Sequence, residues 1–333
     1  MPVIKDVPGG DHRAFVTAPM RGAGFDKLKG LADVVYEPWI DQQPLKIYDG
    51  AGLAERLKAL GADIAVVEAD FVSGPVFDLP LRAIAATRGD PNNIDVKAAT
   101  SAGIPVLRTP GRNAAAVAEL AIGLLLAVVR RLVPADRDVR ELEVFRDGTI
   151  PYQRFRGWEL AGRRAAIIGY GAVGRALHWR LTGLGMDVAV YDPYVEGAGH
   201  DLRAAVSDAD VVTLHAAVTP ETVGFFGPEQ FSWMRPGAVF LNTARAKLHD
   251  MAALTEALEA GRLGGAGLDH FEGEVLPAGH PLLSMPHVVL SPHIGGATTD
   301  TEARGAQIVA DDLEALLAGQ LPANVVNPEV LGR

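Results

Sequence analysis

From Ala165 to Leu181 the chain reads AAIIGYGAVGRALHWRL, an apolar run followed at once by G-x-G-x-x-G and then by a helical pattern. Glycines in that context make a strand-to-helix turn of the kind that holds a dinucleotide. Gly169 permits the tight turn, Gly171 lets backbone approach a pyrophosphate, and Gly174 lets helix and strand pack closely. Gly169, Tyr170, Gly171, Ala172, Val173 and Gly174 are therefore expected cofactor-binding positions, with phosphates meeting the free amides and positive end of the helix. The next strand, DVAVYD, ends on Asp192, 18 residues past Gly174. That is close to the ~20 residues expected for the acid that binds the adenosine ribose hydroxyls. A carboxylate there repels a 2′-phosphate, so NAD is expected rather than NADP. Arg175, just after the third glycine, would either lie over the phosphates or be a solvated helix residue.

Such a turn belongs to a parallel sheet with crossover helices, and the rest of the chain has that alternation. In the first hundred residues AFVTAP, DVVYEP, DIAVVE, LRAIAAT and IPVLRTP read as strands, with helices over Leu53 to Leu60 and Asp95 to Ala102. A long helix is expected from Asn113 to Leu132, ending near Pro134 and bridging two domains, followed by an irregular Arg- and Asp-rich stretch to Arg156. A second series then runs RAAIIG, DVAVYD, VVTLH, AVFLNT, GAGLD and HVVLSP, enough strands for a complete dinucleotide fold. A last helix from Thr299 to Leu317 would return the chain to the first domain. The expected class is α/β with two doubly wound parallel-sheet domains. Residues 1–109 with 299–333 form a flavodoxin-like substrate domain, and 110–298 a Rossmann NAD-binding domain.

Three polar residues follow strand ends in the second domain, where parallel sheets bind their ligands: Arg245 after VFLNT, Glu274 after GAGLD and His293 after VVLSP. A histidine accepts a hydroxyl proton while hydride leaves the carbon, and returns it in the reverse direction. Glu274 would stabilise the imidazolium and fix the ring. Arg245 offers two-pronged binding to a substrate carboxylate and polarises an adjacent carbonyl. His178, His215 and His280 show no metal-ligand spacing, and no metal is expected. Trp179 and Trp233 read as core.

These segments resemble the D-isomer-specific 2-hydroxyacid dehydrogenases, of the phosphoglycerate dehydrogenase-like and glyoxylate-hydroxypyruvate reductase-like kind. The likeness runs through IPVLRTPGRNAAAVAE, GYGAVG, LHAAVTPET, MRPGAVFLNTARAKLHD, GAGLDHFEGE and LSPHIGG. It implies that Arg245, Glu274 and His293 are the catalytic Arg, Glu and His of that family. Asp269 then lies beside the nicotinamide amide, and Thr243 and Ala244 present backbone to that ring. His215, in LHAAVT, falls on the cofactor side of the same likeness. The family commonly has proline where Ala217 and Val275 stand, glycine at Ala246 and a small apolar residue at His249. It holds a substrate carboxylate with backbone amides of a loop that corresponds here to TRGDPNNID, making Arg88, Gly89 and Asp90, with Arg245, the expected substrate-binding residues. Arg88, Arg112 and Lys247 would either jointly meet a further anionic or hydroxylated group or be exposed charges at loop ends.

The implied reaction is hydride transfer between NAD and C2 of a D-2-hydroxy acid or its 2-keto acid, with domain closure excluding water. The alternative is an NAD-sensing, corepressor-like binding module with little turnover. Formate dehydrogenases share the scaffold but pair the histidine with glutamine, which Glu274 argues against. The resemblance also implies a homodimer built on the coenzyme domain. A formal charge of -10 with no basic block argues against a nucleic-acid partner. The absence of cysteine fits a reducing compartment. MPVIKDVPGGDHR has no secretory apolar run, and Leu120 to Val129 is half the ~20 residues that cross a bilayer. A cytoplasmic protein acting on a small acid, with no membrane partner, is expected.

Overall fold

The computed structural model describes residues 12–332. Residues 1–11, on which the expectation of no leader rests, lie outside the described residues. The chain forms two compact units, residues 12–112 with 298–332, and residues 113–297.

The first unit carries β1 (Arg13–Val16), α1 (Gly22–Leu31), β2 (Asp33–Tyr36), α2 (Gly50–Leu60), β3 (Ile64–Val67), β4 (Ala83–Ala86), α3 (Val96–Ser101) and β5 (Val106–Leu107). The five strand runs legible in the sequence all form, pair in parallel, and stand in the order β2-β1-β3-β4-β5, the flavodoxin-like arrangement. Side chains alternate across each strand. Phe15, Ala65, Val67, Ile84 and Ala86 therefore fill the core on one face, and Val16, Ile64, Val66, Ala83 and Ala85 that on the other.

The second unit carries α4 (Ala114–Val129), α5 (Leu132–Arg140), α6 (Pro151–Arg154), β6 (Arg164–Ile168), α7 (Ala172–Gly183), β7 (Asp187–Tyr191), α8 (Leu202–Ser207), β8 (Val211–Leu214), α9 (Pro228–Trp233), β9 (Val239–Asn242), α10 (Met251–Glu259), β10 (Gly265–Leu268) and β11 (Val288–Leu290). Helix α11 (Thr299–Leu317) belongs to the first unit and packs on α1. That packing is close: a Cβ on Gly24 would lie 2.2 Å from the Gln307 amide nitrogen.

The second sheet is parallel, in the order β11-β10-β9-β8-β6-β7. Beyond β7 a lone parallel bridge joins Tyr191 to Gly199. Counting that rung as the third strand restores the Rossmann order, with its switch point between β6 and β8. The sequence shows no third strand because one residue of pairing leaves no apolar alternation to read.

Helix α4 packs on β9, β10, β11 and α7. Two glycines on β10 make room: a Cβ on Gly265 would lie 2.6 Å from Val128 Cγ1, and one on Gly267 3.0 Å from Leu124 Cβ. No helix of the described residues is long and apolar enough to cross a membrane.

Three expectations are corrected. The helix expected to run to Leu132 ends at Val129, because Arg131 takes a left-handed conformation with φ +54° and a new helix starts at Leu132. Pro134 sits in the first turn of α5 rather than ending α4; there its missing N–H costs nothing. Within the stretch read as irregular, α5 and α6 are organised by Arg154, which donates to Thr149 O, Val144 O and Asp138 Oδ2. Trp179 is 62% exposed, since the buried face of α7 carries Leu177 and Leu181, each two residues away. Arg180 lies over its ring instead. Trp233 is partly buried against the core, as read.

Candidate active site

Every expected residue of the second unit lies at a C-terminal strand end of one sheet: Gly169 after β6, Asp192 after β7, His215 after β8, Thr243 to Arg245 after β9, Asp269 to Glu274 after β10, and His293 after β11. A parallel sheet gathers these ends along one edge.

At the first of them, Gly169 has φ +97°, and a Cβ there would meet the Ala216 amide nitrogen at 2.4 Å. A Cβ on Gly174 would sit 2.2 Å from Gly169 O, whereas one on Gly171 would meet nothing within 4 Å. The outer glycines are thus fixed by the protein's own packing. The middle one faces open space. The first hydrogen bond of α7 runs from Arg175 N to Gly171 O, leaving the N–H groups of Ala172, Val173 and Gly174 without a partner among the described residues. Two further polar atoms, Thr243 Oγ1 and His215 Nδ1, are buried and unpaired. An open glycine, free helix amides and orphaned donors and acceptors fit a bound dinucleotide.

Asp192 is tied to this turn. Its Oδ2 accepts from Tyr170 N at 2.8 Å and its Oδ1 from Tyr194 N at 2.9 Å. Arg175 lies over the Tyr170 ring, and the Tyr170 hydroxyl meets His178 Nδ1 at 2.7 Å. His215 Nε2 lies 2.8 Å from Thr213 Oγ1, and burial pushes its pKa down to about 4, so the ring is neutral.

His293 and Glu274 are brought together from two loops. His293 Nδ1 lies 2.9 Å from Glu274 Oε1. Both residues have left-handed backbone, φ +55° and φ +63°, a conformation that non-glycine residues hold only where surrounding structure enforces it. For His293 the enforcing group is Asp269. This side chain is fully buried, and its carboxylate accepts from Ser291 Oγ at 2.6 Å, Ile294 N at 3.0 Å and Gly295 N at 2.8 Å. It grips the chain on both sides of His293. Asp269, expected beside the nicotinamide amide, also anchors the histidine loop.

Arg245 is exposed, and Asn242 shapes its turn. Asn242 Oδ1 accepts from Ala244 N, and Nδ2 donates to Arg245 O and to His249 Nδ1. Burial pushes His249 down to about 4, leaving it a neutral acceptor. The sequence reading missed Asn242 and Ser291, whose only signal was a buried-side polar residue at each strand end.

One group of possible metal ligands occurs among the described residues: atoms of His270, Glu274 and His293 within 4.8 Å of one another. Arg245 Nη1 stands 3.4 Å from His270 Nε2, so a cation there would face a guanidinium. The arrangement suits proton transfer.

In the first unit, Thr87 and Asn93 are buried while Gly89 and Asp90 are exposed. The amides of Arg88, Gly89 and Asp90 donate to nothing among the described residues. Arg88 Nη1 donates to Asn92 Oδ1 at 2.7 Å, within the loop. Arg112 does not join Arg88 in an anion site. It is paired to Glu68, their side chains 13% and 16% exposed, so its charge is already met.

Comparison with known proteins accords with this geometry. Residues 122–295 match the family model described as D-isomer specific 2-hydroxyacid dehydrogenase, NAD binding domain. A glyoxylate reductase of Korarchaeum cryptofilum is 36% identical over 331 residues, 96% of this chain and 97% of the relative. A D-3-phosphoglycerate dehydrogenase of Archaeoglobus fulgidus is 38% identical over 244 residues, 71% of this chain but 45% of that protein. Among solved structures, an NADPH-dependent glyoxylate/hydroxypyruvate reductase of Sinorhizobium meliloti superposes with TM-score 0.75 at 26% identity, covering 95% of this chain and 97% of that one.

Proposed function

This chain belongs to the D-isomer specific 2-hydroxyacid dehydrogenase family, and from that premise we propose that it reversibly interconverts a 2-keto acid and its D-2-hydroxy acid with a nicotinamide dinucleotide, through His293, Glu274 and Arg245. The observation that carries the assignment of roles is the 2.9 Å contact of His293 Nδ1 with Glu274. A carboxylate accepts, so Nδ1 holds the proton and Nε2 is left bare toward the substrate.

When bound, the nicotinamide supplies or accepts the hydride. In the oxidative direction Nε2 of His293 takes the hydroxyl proton, and Glu274 stabilises the imidazolium that results. In the reductive direction that imidazolium returns the proton to the carbonyl oxygen. Arg245 binds the substrate carboxylate and polarises the neighbouring carbonyl. The unpaired amides of Arg88, Gly89 and Asp90 add backbone donors for a carboxylate. Asp192 binds the adenosine ribose and favours NAD over NADP.

The substrate class we assign is a short 2-keto acid of the glyoxylate or hydroxypyruvate type. The glyoxylate reductases of Korarchaeum cryptofilum and Thermofilum pendens align over 97% and 95% of their length, whereas the phosphoglycerate dehydrogenase aligns over 45% of its own. Full-length likeness to reductases also favours turnover over an NAD-sensing module. We further propose a cytoplasmic homodimer. Leu142, Phe145 and Tyr152, 90%, 78% and 86% exposed, project from the segment that Arg154 organises, with Leu132, Val133 and Val139 on α5. So many large apolar groups on one ordered segment mark a self-association surface.

A panel of 2-keto acids at fixed NADH, including glyoxylate, hydroxypyruvate and phosphorylated and sugar-derived acids, tests the assignment. Short unphosphorylated acids should be reduced fastest. NADH binding with no turnover of any acid would overturn it in favour of the sensing module.

A further inference from the structure

In the sheet order β11-β10-β9, the strand between those that deliver His293 and Arg245 is β10, and the residue two past its end is His270. Its ring centroid lies 3.8 Å from that of His293, tilted by 53°, and its Nε2 lies 3.4 Å from Arg245 Nη1. His270 is 4% exposed, so it sits behind the exposed side chains of Arg245 and His293. It directly follows Asp269, whose carboxylate pins the histidine loop, and its backbone is thereby anchored.

We propose that His270 is a positioning residue: a neutral spacer that accepts an N–H of Arg245 at Nε2 and packs its ring against His293, so that both groups converge on one substrate carbonyl. This rests on the roles assigned above to Arg245 and His293. Guanidinium offers only donors, and a neutral imidazole has one acceptor nitrogen. Nε2 must therefore be bare and Nδ1 protonated. Burial first, and then the neighbouring His293 and Arg245, push His270 down to about 3, which keeps it uncharged through the working range. A charged ring here would repel both partners. A divalent cation held by His270, Glu274 and His293 would meet the same guanidinium.

The test uses the full chain and two variants, His270→Gln, whose Oε1 can accept from Arg245, and His270→Leu, which keeps bulk without an acceptor. A long-range proton–nitrogen NMR spectrum at neutral pH, with the His270 signals identified by their loss in His270→Gln, should show a neutral ring protonated at Nδ1. In glyoxylate reduction, His270→Leu should lose about 10- to 100-fold in kcat with little change in the KM for NADH, the scale set by misplacing a reacting group. His270→Gln should recover most of that loss, at a Tm within a few degrees of His270→Leu. A ring protonated at Nε2, or a leucine variant as active as the glutamine one, overturns the proposal. Absence of turnover in the wild type with every keto acid would instead strike the catalytic reading, and the NMR spectrum would still decide the His270–Arg245 contact.

Discussion

His293 Nδ1 stands 2.9 Å from Glu274 Oε1, and the two residues that meet there both lie in the left-handed region of backbone space. Two loops with left-handed backbone thus bring an imidazole and a carboxylate into hydrogen-bond contact. On the His293 side the strain is held by buried contacts at Asp269 rather than by the pair itself. Backbone stress of this kind concentrates at functional sites.

That geometry separates activity from stability at His293. Asparagine adopts positive φ more readily than most residues, so His293→Asn should keep or raise the Tm while kcat falls about 10²- to 10⁴-fold, the usual worth of a general acid-base group. NADH affinity, read by fluorescence titration, should stay within about 3-fold because no dinucleotide contact is removed. Loss of folding or retention of kcat would contradict the assigned role.

The glycine turn gives a paired test. Gly171→Ala adds a methyl to open space, so the Tm should hold while the Kd for NADH rises about 10-fold or more, equivalent to about 1.4 kcal/mol. Gly174→Ala forces a Cβ to 2.2 Å from Gly169 O; overpacking of this kind costs about 1–3 kcal/mol, and calorimetry should show a lowered Tm. Equal thermal effects in the two variants would mean the turn is only structural.

Cofactor choice should respond to Asp192. Removing its carboxylate in Asp192→Ser takes away repulsion of a 2′-phosphate and the bond to Tyr170 N. The ratio of kcat/KM for NADPH over NADH should rise by about 10-fold or more. An unchanged ratio, or a wild type that already prefers NADPH, would remove Asp192 from that role.

Acid sensitivity follows from the buried imidazoles. Burial lowers His215 and His249 to about 4 and, together with the neighbouring His293 and Arg245, His270 to about 3, against an ordinary value of 6.5. Below pH 6.5 the unfolded chain therefore binds protons that the folded chain refuses. Stability present above that pH is lost progressively as pH falls toward the folded values, by about 1.4 kcal/mol per pH unit per histidine. Tm should decline between pH 7 and pH 5. In His249→Leu the decline should be shallower, although its Tm at pH 7 is lower through loss of the Asn242 contact.

The apolar segment ahead of β6 carries the prediction on assembly. Sedimentation of the wild type should show a dimer, and Leu142→Asp with Phe145→Asp should shift it to monomer at micromolar concentration, since both side chains are largely exposed in the single chain. A wild-type monomer would show that this surface has another use.

Amino-acid order alone determined the alternation of strands and helices, the glycine turn, Asp192, and the strand-end trio of Arg245, Glu274 and His293. Each is written in local pattern, as an apolar run, a fixed spacing or a polar residue at the end of a strand. Only the tertiary structure decided what lies through space. It turned Trp179 outward, paired Arg112 with Glu68, broke the long helix at Arg131, made Asp269 the clamp of the histidine loop, and set His270 between Arg245 and His293. Those outcomes depend on partners distant in the sequence, from Glu68 to Ser291. Periodicity reports which face a residue occupies and is silent on what meets it there.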